Sequence, residues 1–465
     1  MTLSADAAAT LQPGFVGTHV PGWLEEAYAE GLISICLYGA NVDDDGGLAP
    51  VCRQLRERLP DILLAVDEEG GDVTRIHYPA GSPAVGNAVL GRLDDLAVTR
   101  RSAEAIGHDL ARLGIGLNLG PVVDVNSSPD NPVIGVRSFG AEAGLAGRHA
   151  AAWIEGLQET GVAACAKHLP GHGDTVADSH HALPRVDASL EVLCARELVP
   201  FEAAVRAGVA AVMTSHILMS AIDADRPATF SPKVMHVLRG TLGFDGVIIS
   251  DALDMAGASA DIGVPEAAVR ALIAGVDLLC LGSNTTGLQY QEVHAAIVQA
   301  VGSGRLPRER LAEAAFKTRQ LAHRFRPVPG PRPTVHTLPP AEVARAFQVT
   351  SQGRAFISDS APLSIVQVHT DTNLAVGEVA WGPAAVGVAH AEADVLPGDR
   401  VAVVARAIGG GHPARQVADR LRAAGHRVAL VDVGWPRSDV DIATYGASTT
   451  VASALVAVLR GEISP

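Results

Sequence analysis

The sequence lacks the features that mark a membrane protein or a secreted one. No stretch approaches the ~20 uninterrupted apolar residues that a membrane-spanning helix requires. The amino-terminal MTLSADAAATLQPGF has neither the basic segment nor the continuous apolar segment of a secretory signal. The sequence therefore predicts a cytoplasmic protein with no membrane partner.

Cysteine is also scarce, and its spacing fits neither a disulfide framework nor a zinc site. The chain has five cysteines, an odd number, and no two of them form a CxxC pair. Cys36, Cys165 and Cys280 lie inside apolar runs that read as buried strands. Reduced thiols in the core are therefore favoured over disulfides or bound zinc.

Basic residues are outnumbered by acidic ones, 36 against 51, which gives a formal net charge of -15. Such a field repels polyanions, so nucleic acid is excluded as a partner. A neutral sugar or another small molecule is not opposed by this charge. Hydrophobic residues make up 48% of the chain and charged residues 19%, which is ample material for folded cores.

The first two thirds of the chain alternate short apolar runs with amphipathic segments. Strands that are apolar on both faces and are separated by helices predict a parallel sheet covered on each side. About eight such units favour a (β/α)8 barrel, with an open doubly wound sheet as the alternative. The candidate strands are LISICLYG (32–39), ILLAVD (62–67), LNLGPVVDV (117–125), VAACAKH (162–168), AAVMTSHI (210–217), GVIISDALDM (246–255) and VDLLCLG (276–282).

A proline-rich segment, RFRPVPGPRPTVHTLPP (324–340), interrupts this alternation. Because its prolines disfavour a helix interior, we place a linker there, between a barrel domain at 1–323 and a second domain at 341–465. The second domain is predicted to be a smaller α/β sandwich. Its candidate strands are PLSIVQVH (362–369), RVAVVARA (400–407) and RVALVDVG (427–434), and its GGGH (409–412) predicts a tight turn rather than a dinucleotide site.

Polar residues follow the apolar strands of the predicted barrel. They are Asp67, Asp124, Lys167 with His168, His216 and Asp251. The carboxyl ends of parallel barrel strands open on one face, where substrates bind, so these side chains are expected to converge there. For Asp251 taken alone, capping the following helix is an equally good interpretation.

The segment KHLPGHGDTVADSHHALP (167–184) contains four histidines and two aspartates. A metal site built from His168 and His172 is disfavoured, because Pro170 and Gly171 prevent the helix that would bring them together. In an extended or turn backbone Asp178 reaches His180, which would fix its tautomer and leave the other ring nitrogen for proton transfer. A loop histidine merely satisfied by its neighbour is the alternative.

The same segment closely resembles the KH-x-PGHGDT-xxx-DSH signature of glycoside hydrolase family 3 β-N-acetylglucosaminidases. The likeness extends along the barrel through PGFVGTHVPGWL (13–24), VDEEGGDVTR (66–75), LNLGPVVDVNSSPDNPVIGVRSFG (117–140), FSPKVMHVLRGTLGFDGVIISDALDM (230–255) and AGVDLLCLG (274–282). The tail TYGASTTVASALVAVLRGE (444–462) resembles the end of the sandwich domain in two-domain members. The one departure noted is DEEGG (67–71), where the family often has DQEGG.

The resemblance implies a retaining enzyme that removes terminal N-acetylglucosamine through a covalent glycosyl-enzyme. It implies that Asp251 is the nucleophile, that His180 is the general acid/base and that Asp178 orients it. The sugar-binding positions carried over from the family are Asp67, Arg75, Arg137, Lys167 and His168. No metal and no organic cofactor are expected.

Three alternatives stay open at this stage. Imidazole, unlike a carboxylate, does not repel phosphate, so a phosphorylase releasing N-acetylglucosamine 1-phosphate is the first. The others are a metal-dependent barrel hydrolase and a catalytically silent sugar-binding protein. The natural aglycone, whether a muropeptide fragment or a chito-oligosaccharide, is left open, as are the oligomeric state and the role of the second domain.

Overall fold

The computed structural model describes residues 2–43, 47–175, 183–327, 337–370, 373 and 375–465. Within these ranges the chain forms two main sheets, the first built before residue 281 and the second after residue 347. Both halves have buried strands flanked by helices, which confirms the predicted α/β class.

The first sheet closes into a barrel. In the described part of the chain its eight parallel strands are Leu11–Gln12, Ser34–Leu37, Leu63–Val66, Leu117–Asn118, Ala163–Leu169, Ala211–Thr214, Val247–Ile249 and Leu279–Cys280. Each pairs with the next along the chain from the second to the seventh. A bridge between Ile249 and Leu278, the pairing of Leu11 with Leu279, and a 3.0 Å bond from Cys36 N to Pro13 O complete the ring. The predicted barrel is confirmed, and the open sheet is wrong.

Helices cover the outside of the barrel. The longer ones are Gly22–Glu30, Ala49–Arg58, Leu96–Leu113, Ala143–Glu159, Leu198–Arg206, Val264–Ala274, Gly287–Gly302 and Arg308–Arg324. The helix Leu96–Leu113 shows how the sequence sets such limits: Asp95 accepts the N–H groups of Ala97 and Val98, and Gly114 ends the helix with a φ of 74°.

Several strands are shorter than the apolar runs predicted. The run 117–125 contributes regular pairing only at Leu117–Asn118. Pro121 has no N–H to donate to a neighbouring strand, so the ladder is interrupted where the chain approaches the barrel mouth. What remains of the run, with Asp124 in it, is buried beneath that mouth.

The second sheet has five strands in the described residues, in the spatial order Gln348–Val349, Ile442–Ala443, Arg427–Asp432, Arg400–Ala405 and Leu363–Gln367. All neighbours are parallel except the first pair. The helices Pro340–Ala344, Ser351–Ile357, Gly382–Ala385, Pro413–Ala423 and Thr449–Leu459 accompany it. The three predicted strands are confirmed. Most of the proposed linker, residues 328–336, lies outside the described residues, so the domain boundary stays a prediction.

The second half packs directly on the barrel. Thr449 and Thr450, at the start of the last helix, donate their hydroxyls to the carbonyls of Ser82 and Pro83 at 2.9 and 2.6 Å. The N–H of Ala447 is bonded to the carboxylate of Asp72 at 3.0 Å. These contacts fix the second sheet beside the loops that follow the third barrel strand.

The five cysteines are free, and all but Cys194 are buried. Cys36, Cys165 and Cys280 lie in barrel strands, as expected from the apolar runs around them. Searching the described residues for a helix with the length and apolar character needed to cross a bilayer gives none.

Candidate active site

A cavity of about 370 Å3 opens at the carboxyl ends of the barrel strands. It brings together side chains that are far apart in sequence, as expected from the polar residues that follow the barrel strands. The predicted site residues that line it are Asp67, Arg75, Arg137, Lys167, His168 and Asp251. The two remaining predicted catalytic residues, Asp178 and His180, fall in 176–182, outside the described residues.

Lys167 is the centre of a buried ion-pair network on one wall. Its Nζ lies 2.6 Å from Asp67 Oδ1 and 2.7 Å from Glu69 Oε1. The guanidinium of Arg137 binds both oxygens of Glu69, with Nε and Nη2 each at 2.8 Å. Such a bidentate pair fixes the orientation of both partners as well as their distance.

Glu69 is the residue that sequence reasoning missed in this network. Burial alone would raise its pKa, but the charges of Arg137 and Lys167 hold the pKa of Glu69 well below its usual range. Burial would also lower the pKa of Lys167, whereas Asp67 and Glu69 raise it. All three groups of the Arg137–Glu69–Lys167 chain are therefore ionised at neutral pH. The signal that could have found it is the DEEGG segment (67–71), which places Glu69 two residues after Asp67.

Asp124 organises the two histidines of the cavity wall, His168 and His172. Its Oδ2 lies 2.7 Å from Nδ1 of His168, and its Oδ1 accepts the backbone N–H of His172 at 2.8 Å. Since a carboxylate only accepts, Nδ1 of His168 carries the proton and Nε2 is left for a cavity ligand. Although burial opposes it, the charge of His168 lowers the pKa of Asp124.

His172 lines the cavity beside His168, with their ring centroids 5.8 Å apart. Its Nδ1 is 2.8 Å from the hydroxyl of Thr175. Burial, with the nearby charge of His168, lowers the pKa of His172 to about 4, so the ring is neutral at physiological pH. The structure thus makes His172 part of the wall as well as a brace for the loop.

Arg75 connects the cavity to the second half of the chain. Its guanidinium donates from Nη2 to Ala375 O at 2.6 Å and from Nη1 to Val376 O at 3.3 Å. Ala375 is itself part of the cavity wall. The buried carboxylate of Glu68 accepts the backbone N–H of Arg75 at 2.8 Å and holds this turn in place.

Asp251 follows the seventh barrel strand and faces the same cavity. Its Oδ1 accepts the N–H of Ala252 at 2.8 Å. The carbonyl of Ala252 lies 2.9 Å from Nε2 of His216, whose Nδ1 is 2.9 Å from Thr229 Oγ1. His216, one of the polar strand ends, therefore supports the backbone beside Asp251. The next helix begins at Ala256 with Met255 as its N-cap, so the alternative that Asp251 caps a helix is wrong.

The base of the histidine-rich segment is firmly held. Asp174 accepts hydrogen bonds from Ser127 Oγ at 3.2 Å and from Arg196 Nη2 at 2.6 Å. Arg196 Nε also pairs with Glu197 Oε1 at 2.6 Å. Gly171 lies so close that a Cβ there would be 2.5 Å from Glu197 Oε2. The chain from Gly171 to Thr175 is therefore held in place beside the cavity.

Other wall residues carried no sequence signal. Asp254, Asn284 and Tyr38 reach the cavity only because the loops after different strands fold over it. The hydroxyl of Tyr38 lies 3.1 Å from Cys280 Sγ. Among the described histidines, cysteines and carboxylates, no group of three is arranged to hold a metal ion.

Comparison with known proteins identifies relatives of this chain. Residues 25–321 match the profile of the glycosyl hydrolase family 3 N-terminal domain. β-Hexosaminidase A of Pseudoalteromonas piscicida is 34% identical over 295 residues, which are 59% of this chain and 49% of that protein. The chain thus spans about half the length of this relative. The β-hexosaminidase of Methylococcus capsulatus is 36% identical over 276 residues, 59% of this chain and 79% of that protein.

Among solved structures, a glycoside hydrolase family 3 β-N-acetylglucosaminidase from Paenibacillus sp. str. FPU-7 superposes with a TM-score of 0.86. The match covers 100% of this chain and 97% of that one, at 28% sequence identity. The similarity therefore includes the second sheet as well as the barrel.

Proposed function

The chain belongs to glycosyl hydrolase family 3, and from this premise we propose that it is an exo-acting, retaining β-N-acetylglucosaminidase. The observation that carries the proposal is the convergence of Asp251 with Lys167, His168 and Asp67 on one cavity at the mouth of the barrel. A terminal N-acetylglucosamine bound there would present its anomeric carbon to a carboxylate. The named activities of the hexosaminidase relatives support this substrate class.

Asp251 acts as the nucleophile. In the first step its carboxylate oxygen attacks the anomeric carbon, while the bond from that carbon to the aglycone oxygen breaks. In the second step water attacks the same carbon and the ester bond to Asp251 breaks. Two successive inversions give a product with the original configuration. The His216–Ala252 contact supports this role because it fixes the backbone that carries the nucleophile.

His180 handles the protons. It donates one to the departing aglycone oxygen in the first step and takes one from water in the second. Asp178 orients its imidazole. Both residues lie outside the described residues, and the support for their roles is the family signature together with the fixed loop base at Asp174.

The buried ion pairs position the sugar. Among the described residues, Asp67 and Glu69 occupy two of the three N–H donors of Lys167, so a third is left for a sugar oxygen. Asp67 uses one oxygen for Lys167 and offers the other to a sugar hydroxyl. His168 offers Nε2, and Arg137 and Arg75 complete the polar wall. Because their partners are already in place, little reorganisation is needed on binding.

Two further proposals concern the whole protein. We divide the chain into a barrel domain at 1–323, a linker at 324–340 and a sandwich domain at 341–465, since each half has its own sheet. We place the protein in the cytoplasm because its five thiols are unpaired, as is typical of a reducing compartment. Cell fractionation with an antibody to the protein tests the second of these.

Product analysis tests the activity. Purified protein is incubated with chitobiose and with an N-acetylglucosaminyl-muramyl peptide, each with and without inorganic phosphate, and the products are followed by NMR. Release of N-acetylglucosamine as its β-anomer, whether or not phosphate is present, is the expected result. If N-acetylglucosamine 1-phosphate is the main product, the enzyme is a phosphorylase rather than a hydrolase. If the protein binds the sugars without turnover, it is a catalytically silent binding protein.

A further inference from the structure

A second cavity lies between the barrel and the second sheet. It has a volume of about 470 Å3 and is walled by the barrel loop 131–137 on one side and by residues of the second half on the other. Val133 and Arg137 line both this cavity and the one that holds Asp251. The two spaces therefore adjoin, with Val133 and Arg137 in their common wall.

Arg406 is the unusual group in this second cavity. Its residue is only 7% exposed, yet within the described chain its Nε and Nη1 form no hydrogen bond. The nearest charge is Asp72, whose Oδ2 lies 3.3 Å from Nε. The ring of Trp381 stacks against the guanidinium, with 4.4 Å from Cζ to the ring centroid. Burying guanidinium donors without hydrogen bonds is costly, and an oxyanion bound in the cavity beside Arg406 would offset part of that cost by pairing with its charge.

Among the described residues that line this cavity, three arginines, Arg137, Arg406 and Arg437, outnumber Asp72, while Glu69 pairs with Arg137 and Asp432 lies near Arg437. Asp72 is shared, because it also accepts the N–H of Ala447 at 3.0 Å. Arg437 lines the same cavity and spends one donor on Asn131 O at 3.1 Å. The helix Pro413–Ala423 begins beside the cavity after the glycines 409–411, with His412 on the wall as its N-cap. A helix start adds partial positive charge in the same region.

Trp435 gives this cavity a flat apolar surface next to the arginines. An aromatic ring beside charged donors suits a ligand that has both an apolar sugar or peptide face and an anionic group. The carbonyls of the loop 131–137 are held by the second half, since Asn373 Nδ2 donates to Pro132 O at 3.1 Å. The cavity is thus preformed.

We propose that the cavity around Arg406 and Arg437 binds an oxyanion, the carboxylate or phosphate of a ligand that reaches out of the active site. This rests on the proposed function: the ligand is then the aglycone of an N-acetylglucosaminide, and the enzyme favours acidic aglycones over neutral ones. The same chemistry would accept free inorganic phosphate, which the experiment distinguishes.

The experiment compares kcat/KM for an N-acetylglucosaminyl-muramyl peptide, which carries carboxylates, with kcat/KM for neutral chitobiose. The ratio of the two is expected to fall about tenfold in Arg406→Met and in Arg437→Ala, the loss of one charge-assisted hydrogen bond. Arg420→Met is the matched control. Arg420 lies in the helix Pro413–Ala423, does not line the cavity and pairs with Glu392. Its ratio should equal that of the wild type.

Titration calorimetry with inorganic phosphate separates the two sources of the anion. If the ratio is unchanged but phosphate binds the wild type and not Arg406→Met, the cavity holds a free oxyanion. If the ratio is unchanged and phosphate does not bind, the site is wrong. An equal loss on both substrates without phosphate binding likewise overturns the site, because that result indicates a packing role only.

Arg437 is exposed, so Arg437→Ala decides the matter even if Arg406→Met does not fold. If the wild-type protein cleaves neither substrate, the proposed function is wrong, but the kinetic ratio then says nothing about oxyanion binding in the cavity. In that case calorimetric titration of the intact muramyl peptide into the wild type and Arg437→Ala tests the oxyanion site by itself. Equal affinities would then overturn it.

Discussion

Lys167 Nζ and Glu69 Oε1 lie 2.7 Å apart, with each side chain only 2% exposed. They come from different strand ends, and Arg137 binds both oxygens of the same carboxylate. The contact ties three segments of the barrel mouth together at the point where the sugar is proposed to bind. Much of the precision of the site therefore depends on one glutamate that need not touch substrate.

Replacing Glu69 by Gln should destabilise the protein by about 3–5 kcal/mol, because Lys167 and Arg137 would stay buried with one partner removed. Urea unfolding followed by circular dichroism measures the loss. The control is Glu155→Gln, which breaks an exposed pair with Arg100 and should cost less than about 1 kcal/mol. Equal effects of the two substitutions would show that the buried network does not hold the site.

Replacing Asp251 by Ala should reduce kcat on an aryl N-acetylglucosaminide by several orders of magnitude, since no covalent intermediate can form. Binding of N-acetylglucosamine, measured by calorimetry, should remain. Because Asp251 is partly exposed and lies outside any helix, the melting temperature should change little. A variant with wild-type turnover would remove Asp251 from the chemistry.

Replacing His180 by Ala should slow substrates with poor leaving groups far more than activated aryl glycosides, which need little protonation. Rates on chitobiose and on a p-nitrophenyl glycoside give the comparison. His181→Ala, the neighbouring histidine without an assigned role, is the control and should leave both rates near those of the wild type. Equal losses on the two substrates in His180→Ala would mean that it is not the acid.

Glu197 predicts a pH dependence of stability. Burial raises its pKa to about 7, from a usual value of 4.5 that the unfolded chain retains. Between these values the folded state holds a proton that the unfolded state has lost, so stability falls as pH rises from 5 to 8. Relative to Glu197→Gln, the wild type should lose roughly 2–3 kcal/mol of unfolding free energy across that range.

Urea unfolding at pH 5 and at pH 8 measures this difference. The glutamine variant keeps the size of the side chain beside Gly171 and cannot ionise, so its own pH dependence provides the baseline. Parallel pH profiles for the two proteins would show that Glu197 does not titrate in this window.

The barrel could be predicted because its strands are short, apolar and regularly spaced, and because polar residues end them. The same pattern predicts that Asp67, Lys167 and Asp251 lie at one mouth of the barrel, where the structure has them. The first strand, Leu11–Gln12, escaped prediction because two paired residues are too few to give a periodic signal. It is recognisable only through its pairing with Leu279.

The contacts between the two halves could not be predicted from the sequence, for a different reason. The family resemblance predicts that Arg75 binds sugar, but no pattern in the sequence around it predicts that its guanidinium donates to the carbonyl of Ala375. Arg406 appeared only as one polar residue at a strand end of the second sheet. Its burial against Trp381 and Asp72 depends on how the two sheets pack, which local patterns do not specify.

Covalent trapping is the most direct test of Asp251 as the nucleophile. A 5-fluoro N-acetylglucosaminyl fluoride slows both chemical steps by destabilising the positively charged transition state, while its good leaving group lets the glycosyl-enzyme accumulate. Proteolysis and mass spectrometry then locate the added sugar. The expected result is a single modified peptide that carries the sugar on Asp251 and loses it when an acceptor sugar is added. A label on any other residue, or turnover with no covalent species, would contradict it.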